Sequence, residues 1–266
     1  MSQTASLNLI SLLGRRSLNY LLYIIDLVVF VMAVMRSWRN RGGLFNRASR
    51  AASITQLIFS GIDALPTITI LALAVGLSVT TQLIFAAQVF GQEADVASLL
   101  ANLVALEFGS LLTAIVMIGR SGSAIAVDLG NMSLNREVEG LELLGIDVHA
   151  FFVSPRLIGM VIAQLVLAIY FSAFSLVTGI TLAALLESTS NFKYLFAVVS
   201  AFEPLDLLLF FIKNLLFGLV IGANACLKGL SVGQSVTQVP QVTQKAIVNS
   251  LVMVFVLDGV FVLILI

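Results

Sequence analysis

Charged side chains are scarce in this sequence. Asp, Glu, Lys and Arg make up 11% of its 266 residues, whereas 59% are hydrophobic, and the mean hydropathy is +1.08. Because a soluble globular domain carries about 25% charged residues, this chain cannot cover a water-exposed surface. The composition predicts an integral membrane protein.

Cysteine and histidine occur once each, as Cys226 and His149. One cysteine excludes an intrachain disulfide framework and a cysteine-based metal cluster, and one histidine excludes an all-histidine metal site within one chain. The formal net charge is zero, which argues against a nucleic-acid partner. The sequence also lacks a Walker-type phosphate loop and a nucleophile with a general base, so we expect no cofactor and no enzymatic activity in this subunit.

Long apolar runs are what the chain has instead. Each offers at least the roughly 20 residues that a hydrocarbon core requires, and helices satisfy their own backbone polar groups there. Pro66 and Pro155 mark two helix starts. The sequence predicts an all-α bundle of five transmembrane helices within residues 62–266. The runs are 67–90, 96–119, 157–186, 205–227 and 246–266.

The N-terminal region, residues 1–50, is expected to hold a helix that lies in one membrane face, followed by a basic loop. Its apolar run follows Arg15 and Arg16, contains Asp26 and ends in the basic "MRSWRNRGG". It shows no small-residue cleavage site, so we expect it to be retained. Arginines at both ends and a marginal length fit an interfacial helix better than a crossing.

Basic residues predict the orientation. With the N-terminus in the cytoplasm and five spans, all but Lys193 and Lys213 of the 14 basic residues fall on the cytoplasmic side or its adjoining helix ends. This asymmetry favours an N-in, C-out topology.

A short amphipathic helix is predicted over residues 131–147, between spans two and three. Gly145 is a natural stop, and the segment is either a solvated connector or a helix that docks on a cytoplasmic partner. Its apolar stripe comprises Leu134, Val138 and Leu141, and its charged positions comprise Arg136, Glu137, Glu139 and Glu142.

Three ionisable residues stand out deep within the apolar runs: Glu107, Lys213 and Asp258. Each would cost at least ~3 kcal/mol at the bilayer centre, so we expect each to face a protein interior or a wet cavity. Glu107 either contacts a lipid headgroup or pairs with Lys213. Asp258 is expected to bond across helices with a residue such as Asn214 or Asn249.

Other residues are expected to be structural. Arg120 would hold Asp128 or reach lipid phosphates. Gly218 and Gly222 permit close helix packing, within a protomer or between two. His149 is expected to be a loop residue without a catalytic role.

The chain resembles the MlaE/YrbE permeases of Mla-type (MCE-associated) phospholipid ABC transporters. The resemblance runs through nearly all five spans and is densest from 107 to 156. It rests on Glu107-Phe108-Gly109, Gly119-Arg120-x-Gly122-Ser123-Ala124, Asp128, Gly130, Met132, Glu137, Glu142, Gly145, Asp147, "SPR" at 154–156, Asp206, Lys213, Gly229 and Asp258.

The resemblance implies a single permease domain that works as a homodimer in the bacterial inner membrane. The implied partners are a cytoplasmic ABC ATPase (MlaF-like), an MCE-domain ring (MlaD-like) and a STAS-domain protein (MlaB-like). The implied substrate is phospholipid, held near Leu106, Glu107, Phe108 and Lys213, and the implied role is to maintain outer-membrane lipid asymmetry. Residues 131–147 would be the coupling helix.

Two other functions remain open from the residues alone. An ion-coupled secondary transporter could use Glu107, Lys213 and Asp258 as a proton relay, although no inverted repeat is recognisable. A membrane scaffold that only anchors partners would have little reason to bear the cost of these charges.

Overall fold

The computed structural model describes residues 22–37, 39, 47–90, 99–186, 191–233 and 235–265. Regular structure in these ranges is entirely helical. Five helices are long and apolar enough to cross a membrane, which confirms the predicted architecture. Spans one to five are Arg50–Ala86, Ala101–Leu134, His149–Leu185, Pro204–Leu230 and Gln238–Ile264.

Within the described ranges the fold consists of ten α-helices, three π-helical segments and one 3₁₀ turn. π-helical segments at Leu100–Phe108, Ile118–Gly122 and His149–Val153 interrupt spans two and three, and a 3₁₀ turn at Ile62–Ala64 interrupts span one. The α-helices are α1 (22–37), α2 (Arg47–Gly61), α3 (Leu65–Phe90), α4 (Gly109–Met117), α5 (Ser123–Leu134), α6 (Glu137–Leu143), α7 (Ser154–Leu186), α8 (Asn191–Ser200), α9 (Pro204–Leu230) and α10 (Gln238–Leu265).

Spans three and four form the centre of the bundle. Span one packs along span three, span five packs along span four, and α5 packs on both four and five. The core therefore runs between helices, while the outer helix faces carry exposed apolar side chains, as a bilayer allows. Fully buried residues include Met117, Met160, Leu167, Phe171 and Phe217.

Span one starts earlier than predicted. Pro66 was expected to mark its start, but α2 already begins at Arg47 and leads through the 3₁₀ turn into α3. Pro66 is the second residue of α3, where its missing N–H costs nothing. The proline therefore marks a junction between two helices.

Span two ends later than predicted. Residues 120–130 were expected to lie in a loop, but the helix of span two continues through them to Leu134. Ser123 Oγ donates to the carbonyls of Gly119 and Arg120, and Ile125 and Leu129 are buried in the core. Satisfied polar groups and an apolar face thus keep this charged stretch helical.

The predicted coupling helix 131–147 is shorter than expected. Leu134 ends α5, and a turn at Asn135 and Arg136 separates it from α6 (Glu137–Leu143). Arg136 adopts a left-handed conformation with φ 58°, which a continuous helix cannot contain. The single apolar stripe predicted for this segment is therefore broken.

Part of the predicted N-terminal region lies outside the described residues, namely positions 1–21, 38 and 40–46, which include Arg15 and Arg16.

Glycines bring spans three and four together within one protomer. A Cβ atom at Gly218 would lie 2.6 Å from Val161 Cα, and one at Gly222 would lie 3.1 Å from Leu157 Cδ1. The first contact is with backbone, which cannot rotate away. Gly218 is therefore required for this helix spacing.

We predict that Gly218→Ala destabilises the protein by about 1–3 kcal/mol, because it overpacks an interface between backbones. Thermal unfolding of the detergent-purified chain measures this loss. Gly259→Ala is the matched control, since its Cβ would meet no atom within 4 Å, and it should leave stability equal or slightly raised. Equal unfolding midpoints for both variants would refute the packing role of Gly218.

Candidate functional site

Lys213 lies between two carboxylates inside the bundle. Its Nζ donates a hydrogen bond to Glu107 Oε2 at 2.7 Å and lies 2.6 Å from Asp258 Oδ1. The Lys213 side chain is only 4% exposed. These three residues form what we call the charge cluster, which ties together spans two, four and five.

The charge cluster lies deep along the helices. Lys213 is nine residues from Pro204 and seventeen from Leu230, or about 14 Å and about 26 Å at 1.5 Å per residue. Both distances place it within the apolar length of span four. Charges at such a depth require partners, and Lys213 supplies one for each carboxylate.

Glu107 is carried by an unusual backbone. It is next to last in the π-helical segment Leu100–Phe108, and π-helical turns are frequent at functional sites. The following Gly109 packs on span three, where an added methyl group would collide with Ser172 Oγ. Ser172 Oγ in turn donates to the Ala105 carbonyl at 2.5 Å. The π-helical turn and the close contact of Gly109 with span three together fix the position of Glu107 on the helix surface.

A neutral polar network lies beside the cluster. Asn214 Nδ2 donates to Ser110 Oγ and to the Phe210 carbonyl, both at 2.9 Å. Gln164 Nε2 donates to Asn214 Oδ1 at 3.1 Å. Ser110, Gln164 and Asn214 are fully buried, so spans two, three and four are also joined next to Lys213. Sequence reasoning missed Gln164 and Ser110.

Asp258 has a different partner from those predicted. Asn214 and Asn249 were expected, but Lys213 is the residue that contacts the carboxylate. An ammonium neutralises a buried carboxylate, whereas an amide only hydrogen-bonds to it, so Lys213 is the stronger partner. The cluster carries two acids and one base, a formal charge of −1.

The predicted lipid-contacting residues lie in different environments. Leu106 is buried against Ala168 and Phe210 and faces away from any open surface. Phe108 is partly exposed, and Glu107 retains some exposure beside Lys213. Glu107 and Phe108 are thus accessible, whereas Leu106 is buried beside them.

Arg120 and Asp128 do not pair with each other as expected. Arg120 Nη2 lies 3.6 Å from Asp63 Oδ2 in the 3₁₀ turn of span one, and Asp128 pairs with Arg156 at the start of span three. The Arg156 guanidinium also lies 5.5 Å from the centre of the Phe152 ring. These pairs connect spans one to three near the ends that segment 135–148 joins.

Segment 135–148 projects away from the core. Helix α6 contains no buried residue, and its charged positions Arg136, Glu137, Glu139 and Glu142 are exposed. Leu143 is 89% and Leu144 is 77% exposed. The apolar positions predicted for docking include Val138 and Leu141, which are partly buried, whereas the more exposed Leu143 and Leu144 were not among them.

Hydrogen bonds fix both the end of α6 and the start of the helix that follows it. Gly145 adopts φ +75°, and the amides of Gly145 and Ile146 donate to the carbonyls of Glu142 and Leu141. This is a Schellman ending that suits glycine. Asp147 Oδ1 then accepts from the amides of His149 and Ala150 at 3.0 and 3.3 Å, which caps the next helix.

The N-terminal helix is attached to this segment. Ser37 Oγ donates a hydrogen bond to Asp147 Oδ2, and the Phe30 ring lies 5.6 Å from the His149 ring. His149 begins a π-helical turn rather than lying in a loop. A displacement of segment 135–148 would therefore move α1 as well as spans two and three.

Comparison with known proteins identifies relatives of the whole bundle. A family model described as "Permease MlaE" matches residues 53–264. A probable ABC transporter permease protein of Rickettsia bellii is 24% identical over 250 residues, which cover 94% of this chain and 95% of that protein.

Two further relatives come from distant organisms. The intermembrane phospholipid transport system permease protein MlaE of Haemophilus influenzae is 24% identical over 77% of this chain and 79% of its own length. Trigalactosyldiacylglycerol 1, a chloroplastic protein of Arabidopsis thaliana, is 26% identical over 78% of this chain and 59% of its own length. The match covers all five spans and the charge cluster, and we conclude that this multi-pass membrane protein belongs to the MlaE permease family.

Proposed function

We propose that the chain is the transmembrane permease subunit of an ATP-driven phospholipid transporter. The observation that carries this proposal is the charge cluster, whose partly exposed Glu107 lies beside a buried Lys213 in an otherwise apolar bundle. The names of the relatives support it, since one is a phospholipid transport permease and another a probable ABC transporter permease.

Lipid would be handled beside Glu107 and Phe108. The excess carboxylate of the cluster suits the cationic part of a zwitterionic headgroup, while the exposed ring of Phe108 suits an acyl chain. Because Lys213 holds both acids, a headgroup that competes for Glu107 would loosen one of the two contacts. Lipid arrival and helix movement would thereby be linked.

The partners proposed are those of an MlaE-type complex. A second copy of the chain would complete the lipid cavity, and an MCE-domain ring would exchange phospholipid with it. The subunit would be located in a bacterial inner membrane, where the system maintains outer-membrane lipid asymmetry. A separate ABC ATPase, with a STAS-domain protein, would bind the exposed side of segment 135–148 and supply ATP hydrolysis.

The orientation proposed is N-in, C-out, which places segment 135–148 in the cytoplasm, where ATP is available. We predict that an impermeant maleimide labels Ile264→Cys in intact cells but labels Leu144→Cys only after the membrane is opened. Both positions are exposed, and Cys226, the single native cysteine, is buried. The reverse labelling pattern would invert the topology and exclude an ATPase at this segment.

The exposed leucines of segment 135–148 are proposed as the main apolar contact with the ATPase. We predict that Leu143→Asp and Leu144→Asp lower ATP-dependent transfer of a fluorescent phospholipid at least about tenfold, since an interface anchor is worth about 2 kcal/mol. The measurement uses vesicles that contain the chain and its co-purified ATPase.

Two controls sharpen this experiment. Leu143→Met and Leu144→Met keep an apolar side chain of similar volume at the same two positions, and they should retain most of the transfer. Circular dichroism and ATPase-independent membrane insertion should be unchanged in all variants. Full ATP-dependent transfer by both aspartate variants would exclude the leucine pair as the coupling contact.

An ion-coupled secondary transporter is the second candidate, favoured by the extra acid in the charge cluster. The two functions differ in their energy source. In the same vesicles, transfer that requires ATP and persists when the proton gradient is dissipated supports the permease. Transfer driven by a proton gradient without ATPase or ATP supports the alternative.

A further inference from the structure

An apolar groove lies between α1 and spans four and five, separate from the charge cluster. Its volume is about 590 Å³. Nearly all of its lining is aliphatic, and its polar residues are Tyr23 and Asn249. The main lining residues are Leu27 and Val31 of α1, Leu219 and Val220 of span four, and Val252 and Val256 of span five.

The groove has a direction. On span five, its lining runs from Asn249 to Leu257, about 12 Å along the helix axis. Asn249 lies nearer the start of span five, at the same end of the bundle as the last turn of span four and segment 135–148. This shared end follows from the contact of Ser133 Oγ with the Leu230 carbonyl at 3.5 Å.

Two lysines lie near the Tyr23 end of the groove. Lys228 Nζ is 4.2 Å from the centre of the Tyr23 ring. Lys245 is exposed and lies one turn before the groove residue Asn249, on the same face of span five. Asp26 attracts Lys228, but in the described part of the chain no carboxylate lies within 4 Å of either lysine. This end of the groove therefore carries more positive than negative charge.

Tyr23 gives this end a fixed structure. Its hydroxyl donates to Asn224 Oδ1 at 2.5 Å, and burial raises the pKa of Tyr23 above its ordinary value. The phenol therefore stays neutral, and its ring can hold the Lys228 ammonium by a cation–π contact. The aromatic ring thus fixes the position of the lysine.

The outer side of α1 indicates what surrounds the groove. Leu22, Ile25 and Val29 are about half exposed and point away from the core, so α1 is apolar on both its inner and outer sides. Such a helix is stable only where acyl chains cover it. The groove beneath it therefore opens to lipid, with the lysines at the level where headgroups begin.

We propose that this groove holds one acyl chain of an anionic phospholipid whose phosphate lies against Lys228 and Lys245. An aliphatic channel matches the chain, and paired ammonium groups at its polar end match the phosphate. This lipid would be resident between α1 and the bundle, and it is distinct from the lipid proposed to move past Glu107.

The site can be tested with a single reporter tryptophan and lipids that carry bromine on their acyl chains. Trp38 is the only native tryptophan, so Trp38→Phe provides a silent background. Val256→Trp places the reporter on the groove wall. Val260→Trp places it one turn further along the same span, outside the groove lining. The native residues are 61% and 48% exposed.

The full chain is reconstituted in phosphatidylcholine vesicles with increasing fractions of brominated phosphatidylglycerol. We expect the Val256→Trp reporter to reach half-maximal quenching at an at least fivefold lower fraction than Val260→Trp, since each of the two lysines near the surface contributes about a factor of five. In the Val256→Trp background, Lys245→Gln should raise this fraction about fivefold. Arg136→Gln removes an exposed charge from the same end of the bundle without touching the groove, and it should change nothing.

Three results would overturn the proposal. Identical quenching curves for the two reporters would mean ordinary surrounding lipid. Equal quenching of Val256→Trp by brominated phosphatidylcholine would mean that the lysines select no headgroup. Protection of Val256→Trp from both brominated lipids would mean that a second copy of the chain covers the groove. Because no ATPase is present, none of these results depends on the transport function proposed above.

Discussion

Two carboxylates share one ammonium group inside this bundle, and the arrangement of the helices depends on that contact. Glu107, Lys213 and Asp258 come from three spans that are far apart in sequence. Each would be costly to expose to acyl chains on its own, and removing one partner of a buried ion pair costs about 3–5 kcal/mol. The cluster therefore specifies which helices meet, and at what depth.

The cluster and segment 135–148 are connected by rigid packing. Spans three and four meet closely at Gly218 and Gly222, and segment 135–148 leads directly into span three through the Asp147 cap. Span four carries Lys213. A push on the segment would thus reach the cluster through two helices whose backbones are in contact, which is a physical basis for the proposed link between an ATPase at the segment and lipid at the cluster.

Much of the architecture could be predicted from hydropathy, because a bilayer requires long apolar helices. The five spans and their order follow from the sequence. Their ends do not, because helices such as α5 continue wherever a charged stretch has satisfied polar groups and an apolar face to bury. Because span one was predicted to start only after Pro66, Asp63 was not considered as a partner, and Arg120 was assigned to Asp128 instead.

Pairing was less predictable than position. Periodicity shows that Glu107, Lys213 and Asp258 must be shielded, but it does not report their relative depth on different helices. The Glu107–Lys213 pair was therefore one of two open alternatives, and the partner of Asp258 was missed. Leu143 and Leu144 were overlooked for a similar reason, since the exposure of their side chains depends on the turn at Arg136, which the sequence does not reveal.

The central claim is that Lys213 holds spans two, four and five together, and an unfolding comparison tests it most directly. Lys213→Met leaves Glu107 and Asp258 without their ammonium partner inside the bundle and should destabilise the chain by about 3–5 kcal/mol. Adding Glu107→Gln and Asp258→Asn removes those acids and should restore most of that stability. A Lys213→Met variant that unfolds at the midpoint of the parent protein would contradict the claim.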